Sequence, residues 1–388
     1  MAIAHPFDNA QAVAPSQPAT GAFTSIVMPC LNEAETVAIC VSKALGWLAR
    51  SGLEGEVVVV DNGSIDGSPE LAEAAGARVV HEATRGYGAA LRRGFAEAKG
   101  DWLVMGDCDD TYDFEALDVL VLPLASGADL VVGNRFAGGI ADGAMTWSHR
   151  YIGTPAISLL LRIFAGLRVG DSQCGLRAFT RDALNRLELK TDGMELASEM
   201  ILKAARRGLE VADVPVPYNE RIGEAKLNTL RDGWRHLRFL LLSSPHYLFT
   251  LPGVVLSLLG ILTLGLALPG DTIEIGDRSW QPIFAGGIFF VVGINALLLG
   301  LASSAYTTAR GITNEDAWNR FYRKHLGLET LIGIGAAFAI AGFALDVLLA
   351  VQRPDGMSIL GLAAIAQALI IAGCNIVLAG ALSTLIED

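Results

Sequence analysis

The chain has 388 residues, of which 52% are hydrophobic and 18% are charged, and its formal net charge is −12. A chain of this length is expected to form roughly two to three domains, and its composition is too apolar for an ordinary soluble protein. The acidic balance argues against a nucleic-acid partner, because nucleic-acid-binding proteins usually carry a basic surface. The five cysteines lack a C-x-x-C spacing and indicate neither a disulfide framework nor a zinc site.

The N-terminal segment, residues 1–21, has no basic stretch followed by an apolar one, so we expect a disordered leader and not a signal peptide. After it, short apolar strands alternate with helices; strands are predicted at 24–28, 56–60, 78–81 and 102–106. This alternation predicts an α/β domain over residues 22–228, with a mostly parallel, Rossmann-like sheet and helices on both faces.

Polar residues follow three of these strands, at the edge where ligands bind in parallel sheets. They are Asn32 and Glu33, Asp61 and Asn62, and Asp107 and Asp109. The glycines at 86 and 88 open a later helix, but they do not form the G-x-G-x-x-G pattern of a dinucleotide site and are interpreted as a turn.

The acidic residues 107, 109 and 110 are close enough to repel one another unless a cation or a proton intervenes. Carboxylate oxygens suit Mg²⁺ or Mn²⁺, and an ion held by only two carboxylates retains positions for substrate phosphates. The alternative is a helix over Tyr112–Val121 whose dipole the acidic residues face. We assign Asp107 and Asp109 to the metal and Asp110 to the helix cap.

The segments Val27–Glu33, Val60–Asp66 and Asp107–Asp109 together resemble the nucleotide-sugar site of family 2 glycosyltransferases, which have the GT-A fold. The first 245 residues are similar to the branch of dolichyl-phosphate mannose synthases and polyprenyl-phosphate glycosyltransferases. The resemblance implies that Asp107 and Asp109 hold Mg²⁺ or Mn²⁺ on the diphosphate. It also implies a nucleotide pocket formed by Pro29, Leu31, Asn32, Glu33, Asp61 and Asn62.

Two positions depart from the family pattern. Asn62 stands where the family usually has a second aspartate, which puts some base or ribose contacts in doubt. Thr111 stands where some relatives supply a further metal ligand of amide type, so the third protein ligand is open.

Acceptor residues are expected further along the chain. The segment Arg150–Arg168 is apolar with arginines at both ends, and it is too short and too charged to span a membrane. It is predicted to be an interfacial helix, with a buried core helix as the alternative. By resemblance, Arg135, Arg150 and Thr154 meet the lipid phosphate.

The segment Asp171–Phe179 resembles the acceptor-side motif of the family and contains Arg177. Asp171 is either an acid/base group or a structural partner of Arg177. A lipid phosphate is already anionic and needs orientation more than proton removal, which favours the structural role. Farther on, Arg221 and Lys226 lie in a glycine-containing loop suited to clamp phosphates, unless that loop is merely solvated.

Residues 229–246 mix basic and aromatic side chains at helical spacing, as in a juxtamembrane amphipathic helix attracted to membrane lipids. The remaining residues, 247–388, contain four apolar segments long enough to span a bilayer. They are Leu248–Pro269, Ile283–Tyr306, Leu328–Val351 and Ile359–Leu385.

The loops between the spans predict the orientation. Residues 307–327 carry Arg310, Arg320, Arg323 and Lys324, whereas residues 271–281 are mostly acidic. The positive-inside rule therefore places the catalytic domain and the C-terminus on the cytoplasmic side of a plasma membrane, such as a bacterial inner membrane. The glycine-rich stretch Leu331–Gly342 permits close helix packing, so a homo-oligomer is left open.

The resemblance implies an inverting, metal-dependent transfer of a hexose from a nucleotide diphosphate sugar to polyprenyl phosphate. The donor is expected to be of the GDP-mannose or UDP-glucose type. Two alternatives stay open: transfer to a lipid or glycan hydroxyl, which needs a general base, and a catalytically silent GT-A domain that serves as a membrane scaffold. A processive synthase is disfavoured because the chain has no Q-x-x-R-W motif.

Overall fold

The structure is a computed structural model that describes residues 21–223, 229–244, 246–268, 273–275, 278–280, 282–309, 320, 324–352 and 359–387. Residues 1–20 of the predicted leader, Lys226 and most of the loop 307–327 lie outside these ranges. The chain divides into two units, Met1–Leu240 and Leu241–Asp388.

The first unit is built on a seven-stranded sheet with the order β3-β2-β1-β4-β6-β5-β7. All neighbours pair in parallel except β6, which runs antiparallel to both β4 and β5. The mostly parallel α/β sheet of a GT-A fold is therefore confirmed. The strands are β1 (Thr24–Cys30), β2 (Gly55–Asp61), β3 (Arg78–His81), β4 (Trp102–Met105), β5 (Leu130–Asn134), β6 (Arg177–Thr180) and β7 (Val211–Pro215).

Helices cover both faces of this sheet because successive strand residues point to opposite sides. Ile26 and Met28 of β1 pack in one core cluster, whereas Val27 packs in the other. The helices of this unit are α1 (Val37–Ser51), α2 (Ser68–Ala74), α3 (Tyr87–Glu97), α4 (Asp118–Ala125), the short α5 (Arg135–Gly138), α6 (Thr154–Ala165), α7 (Arg181–Leu187), α8 (Leu196–Arg206) and α9 (Thr229–Ser243).

The helix predicted over Tyr112–Val121 forms later, as α4, and the assignment of Asp110 to its cap is wrong. Asp110 has a φ of 60°, and its carboxylate lies 2.6 Å from the ammonium group of Lys43 on α1. The burial of Tyr112 and Phe114 in the core holds the intervening chain in an irregular path. The Asp110 carboxylate therefore forms a tertiary ion pair and does not cap the start of a helix.

The predicted interfacial segment forms a π-helical turn, His149–Gly153, followed by α6. One side of α6 packs on α8 and α9 through Leu161, Ile201 and Leu240. Large apolar side chains in α6 and in the residues before it are exposed: Trp147, Tyr151, Ile152, Leu159 and Ile163. The segment is therefore buried on one side and apolar on its exposed side.

The second unit contains four helices that are long and apolar enough to cross a membrane, as predicted. They are α10 (Leu251–Ala267), which follows a π-helical turn at His246–Thr250, α11 (Pro282–Ala309), α12 (Leu328–Val351) and α13 (Ile359–Glu387). A short antiparallel pair, β8 (Ile273–Ile275) and β9 (Arg278–Trp280), lies between the first two.

Small residues bring the last two helices together within one chain. A Cβ on Gly335 would lie 2.6 Å from the carbonyl oxygen of Gly373, and one on Gly342 would lie 2.5 Å from that of Ala366. Glycines of the stretch Leu331–Gly342 thus serve packing between α12 and α13. Between α13 and α11, the amide of Asn375 donates a hydrogen bond of 2.9 Å to Asn295.

Two helix glycines allow a test of the packing on the sheet. A Cβ on Gly94 of α3 would lie 2.4 Å from Val27 and 2.7 Å from Val60, whereas one on Gly46 of α1 would meet only the flexible end of Arg50. We expect Gly94→Ala to lower the free energy of unfolding by about 1–3 kcal/mol through overpacking. Gly46→Ala, the matched control, should raise it by up to about 1 kcal/mol through helix propensity. Thermal unfolding of the detergent-solubilised protein measures both; equal effects would contradict the close packing of α3 on the sheet.

Candidate active site at the strand ends

Three neighbouring strands, β2, β1 and β4, end at one edge of the sheet. The residues that follow them are Asn32 and Glu33, Asn62, and Asp107 and Asp109, while Asp61 closes β2. The structure therefore brings together the polar strand ends that the sequence singled out.

The loops after β1 and β2 bind each other directly. The backbone N–H of Asn32 donates to the hydroxyl of Ser64, and the N–H of Ile65 donates back to the Asn32 side chain, each at 2.9 Å. The N–H of Glu33 donates to the hydroxyl of Ser68 at 2.8 Å. Asn32 therefore connects two loops through its own amide oxygen, and these bonds fix the entrance of the predicted nucleotide pocket.

Asp61 is held in its ionised form at the bottom of this edge. Burial alone raises the pKa of Asp61, but hydrogen bonds from Ser64, His81 and Gly63 outweigh it, and the pKa lies below its ordinary value. His81, whose side chain is 70% exposed, places Nδ1 at 3.2 Å from the carboxylate. His81 was not predicted, because a single histidine at a strand end carries no recognisable motif.

Asn62 has a structural role, and its assignment to the nucleotide pocket stays a prediction. Its amide nitrogen donates to the carbonyl oxygens of Glu82 and Thr84, at 2.9 and 2.8 Å, and its oxygen accepts from the N–H of Gly86 at 2.8 Å. An aspartate could not donate the first two bonds. Asn62, which departs from the family pattern, thus holds the chain between β3 and α3 in place.

The glycines at 86 and 88 serve close backbone packing. A Cβ on Gly86 would lie 2.1 Å from the carbonyl oxygen of Asp192, and one on Gly88 would lie 2.5 Å from that of Thr191. This packing places Tyr87 where its hydroxyl interacts with Asp107. Sequence reasoning missed Tyr87 because the glycines around it were interpreted as a simple turn.

Asp107 and Asp109 form the acidic centre of the site. Burial and the neighbouring charge of Asp109 raise the pKa of Asp107 to about 7, while Tyr87, Arg135 and Arg221 act in the opposite direction. Gly175 approaches so closely that a Cβ there would lie 2.6 Å from Asp107 Oδ2.

Asp109 is oriented by its neighbour. The hydroxyl of Thr111 donates to Asp109 Oδ1 at 2.6 Å, and the N–H of Thr111 donates to the same atom at 3.2 Å. The other oxygen of Asp109 lies 3.1 Å from Arg221. Thr111 therefore orients the carboxylate of Asp109 by hydrogen bonding and adds no negative charge to the site.

These residues fit a divalent cation. Two crowded carboxylates, one with a raised pKa, are the donor set that a hard cation stabilises in ionised form. Within the described part of the chain, no group of three or more His, Cys, Asp or Glu side chains is placed to hold a metal ion. A cation at Asp107 and Asp109 would thus take further ligands from outside the acidic side chains, as a diphosphate can supply.

Arg221 bridges the two sides of this centre. Its guanidinium pairs with Glu33 at the end of β1 and, at 3.1 Å, with Asp109 after β4. The side chain is 23% exposed. The guanidinium thus neutralises a carboxylate of the predicted nucleotide pocket and one of the predicted metal pair.

A buried ion pair lies near Asp107. Arg135 donates from Nε and Nη2 to the two carboxylate oxygens of Asp171, at 2.6 and 2.9 Å, and Asp171 is fully buried. The guanidinium also lies 4.9 Å from the centre of the Tyr218 ring. Asp171 therefore acts as the partner of Arg135, which corrects its expected pairing with Arg177, while its catalytic assignment stays a prediction.

Arg177 does not reach an acceptor. Its side chain is fully buried and donates to the carbonyl oxygens of Cys174, Ala197 and Ser172, at 2.9, 2.8 and 2.8 Å. The assignment of Arg177 to acceptor binding is therefore corrected to a structural one: it fixes the loop that follows Asp171.

Arg150 and Thr154 lie on a different segment, at the start of α6. The guanidinium of Arg150 lies 5.6 Å from the centre of the exposed Tyr151 ring. Thr154 begins the helix and is buried. Their expected contact with a lipid phosphate stays a prediction.

Comparison with known proteins agrees with the geometry. The model of glycosyl transferase family 2 matches residues 25–188. The low-salt glycan biosynthesis hexosyltransferase Agl6 of Haloferax volcanii is 38% identical over 330 residues, which cover 84% of this chain and 79% of that protein. A dolichyl-phosphate hexose transferase of the same organism is 37% identical over 179 residues, covering 46% of this chain and 76% of that protein.

Among solved structures, glucosyl-3-phosphoglycerate synthase from Mycobacterium tuberculosis, in complex with Mn²⁺, UDP-glucose and phosphoglyceric acid, is 25% identical. The match covers 57% of this chain and 79% of that chain, with a TM-score of 0.47.

The structural role of Arg177 predicts a loss of stability on its removal. In Arg177→Met, buried carbonyl groups lose their donors, and we expect the free energy of unfolding to fall by about 3 kcal/mol or more. The control Arg93→Met removes an exposed arginine that pairs with Glu97 one turn away, and its effect should stay within about 0.5 kcal/mol. Thermal unfolding measures both. A stable Arg177→Met protein with impaired acceptor binding alone would restore the original assignment.

Proposed function

Because this chain belongs to glycosyl transferase family 2 and is a hexosyltransferase, we propose that it transfers a hexose from a nucleotide diphosphate sugar to a polyprenyl phosphate. The donor is of the GDP-mannose or UDP-glucose type. The observation that carries the proposal is the electrostatic environment of Asp107. The carboxylate of Asp109 raises the pKa of Asp107, and the positive charge of Arg135 lowers it. A cation site for a diphosphate and a cationic group for an acceptor phosphate thus adjoin at one strand end.

The donor side supports this assignment. Pro29, Leu31, Glu33 and Asp61 lie at the ends of β1 and β2, and the hydrogen bonds between the two loops hold this edge in place. Mg²⁺ or Mn²⁺, when bound, supplies charge neutralisation for the leaving diphosphate. Asp107 and Asp109 would hold it, with Thr111 keeping Asp109 in orientation.

The acceptor side needs little proton transfer. A phosphate monoester is anionic at neutral pH, so the protein has to orient its oxygen toward the sugar carbon and balance its charge. Arg135 is suited to this task because Asp171 and the Tyr218 ring hold its guanidinium in one orientation. Inversion at the anomeric carbon follows from a single in-line displacement.

A lipid acceptor is supported by the membrane-directed features of the chain. Four helices of the second unit are apolar enough to span a bilayer, and the start of α6 exposes Trp147, Tyr151 and Ile152. Aromatic and aliphatic side chains of this kind suit the interface of a membrane. The relative named as a dolichyl-phosphate hexose transferase is similar to 46% of this chain. The charges of the loops between the spans support a cytoplasmic position for the catalytic part of the chain.

The proposal is tested by incubating the full-length protein in membranes with a panel of labelled nucleotide sugars and polyprenyl phosphate. We expect one labelled, mild-acid-labile lipid that disappears with EDTA and returns with Mn²⁺. Asp109→Ala should lose this transfer by at least about 100-fold, whereas Asp142→Ala, which removes an exposed carboxylate, should not. Transfer to a hydroxyl lipid instead of the phosphate, or full activity in EDTA, would contradict the proposed acceptor or the metal role respectively.

The ion pairs of Arg221 predict an effect on metal binding that is independent of turnover. Removing the Arg221 guanidinium takes a positive charge away from Asp109 and Glu33. Arg221→Ala should therefore bind Mn²⁺ about tenfold more tightly in the absence of nucleotide. Electron paramagnetic resonance titration of free Mn²⁺ measures this affinity. Arg92→Ala, which removes an arginine paired with the exposed Asp192, is the control. Unchanged or weaker Mn²⁺ binding in Arg221→Ala would show that the guanidinium does not compete with the metal.

A further inference from the structure

A chain of buried hydrogen bonds leads from helix α9 to the loop that carries Asp171. His236 of α9 is 6% exposed, and its Nδ1 lies 3.0 Å from the hydroxyl oxygen of Ser198 on α8. Ser198, which is fully buried, also accepts a hydrogen bond of 3.2 Å from the side-chain amide of Gln173. The backbone N–H of Gln173 in turn donates to Asp171 Oδ1 at 3.2 Å.

The same loop is held from helix α6. The N–H of Ser172 donates to the hydroxyl of Ser158 at 3.1 Å, and the two serine hydroxyls lie 2.9 Å apart. The amide of Gln173 donates to the Ser172 hydroxyl at 3.2 Å as well. Helices α6, α8 and α9 thus all reach the segment next to Asp171 through polar side chains.

These polar contacts lie beside an apolar one between the same helices. Leu240, one turn after His236, packs with Leu161 of α6 and Ile201 of α8. Apolar residues alone could therefore hold the three helices together, and burying polar groups costs free energy unless each is satisfied. A satisfied buried network, in contrast, fixes the positions of its members. The group at its end is Asp171, which orients Arg135.

We propose that His236 is a positioning residue for the acceptor: through Ser198 and Gln173 it fixes Asp171, and thereby the Arg135 guanidinium that meets the acceptor phosphate. This inference rests on the proposed function. α9 also exposes Trp234, which is 61% accessible, and it precedes the first membrane-spanning helix in the sequence. The hydrogen-bond chain therefore ties the geometry at the acceptor phosphate to a helix placed to lie at the membrane.

The test compares His236→Leu with His236→Asn in the full-length protein. Leucine fills a similar volume without a polar group, whereas the asparagine amide places a polar atom near the position of Nδ1. We expect His236→Leu to raise the KM for polyprenyl phosphate about tenfold and to change the KM for the nucleotide sugar less than about twofold. His236→Asn should return the acceptor KM to within about threefold of the wild-type value.

Ser198→Ala gives an independent test, because it breaks the chain by removing one hydroxyl and leaves the apolar packing of α8 intact. It should reproduce the split between the two KM values even if His236→Leu fails to fold. The control is Ser126→Ala, which removes an exposed hydroxyl at the end of α4 and should leave both KM values unchanged. Equal increases in both KM values, no rescue by asparagine, or a wild-type acceptor KM in Ser198→Ala would each overturn the proposal.

Failure of the proposed function would be seen separately. If the wild-type protein glycosylates a lipid hydroxyl instead of a phosphate, the acceptor assignment is wrong. The same comparison of acceptor and donor KM values, made with that lipid, then decides whether His236 positions the acceptor side.

Discussion

The repulsion between Asp107 and Asp109 is the constraint to which the rest of the site responds. Both carboxylates follow a buried strand, and burial together with the charge of Asp109 raises the pKa of Asp107 to about 7. Positive charge stabilises this strand end, and it comes from Arg221, which pairs with Asp109, and from Arg135, whose charge lowers the pKa of Asp107. Hydroxyl donors, Thr111 on Asp109 and Tyr87 near Asp107, complete the response.

The two arginines meet this constraint in different ways. Arg221 is partly exposed and belongs to a loop, so under the proposed function its guanidinium can exchange with a metal ion and a diphosphate. Arg135 is buried and paired with a fully buried aspartate. Removing one partner of such a pair leaves an uncompensated charge, so the pair has to be kept whole. One cation is thus suited to exchange with a ligand and the other to stay in place.

The two carboxylates and the ion pair of Arg135 depend on different supporting elements. The catalytic carboxylates depend on the central strands β1 and β4, whose residues are buried on both faces. The acceptor-side ion pair instead depends on the loop before β6, which α6, α8 and α9 hold through hydrogen bonds. Under the proposed function, a donor side held by central strands and an acceptor side held by helices α6, α8 and α9 therefore adjoin at Asp107.

The sequence by itself determined the alternation of strands and helices, the acidic strand ends and the four apolar spans, because each depends on local periodicity or on residues adjacent in the chain. Only the tertiary structure decided which partner each polar group takes. Asp110 pairs with Lys43 and not with a helix start, Asp171 pairs with Arg135 and not with Arg177, and the Asn62 side chain binds the backbone between β3 and α3. These ion pairs and hydrogen bonds join residues that are 20 to 67 positions apart in the sequence and belong to different elements. No local sequence pattern encodes them. They follow from desolvation, since a buried charge or amide takes whichever partner the packed helices bring within hydrogen-bonding distance.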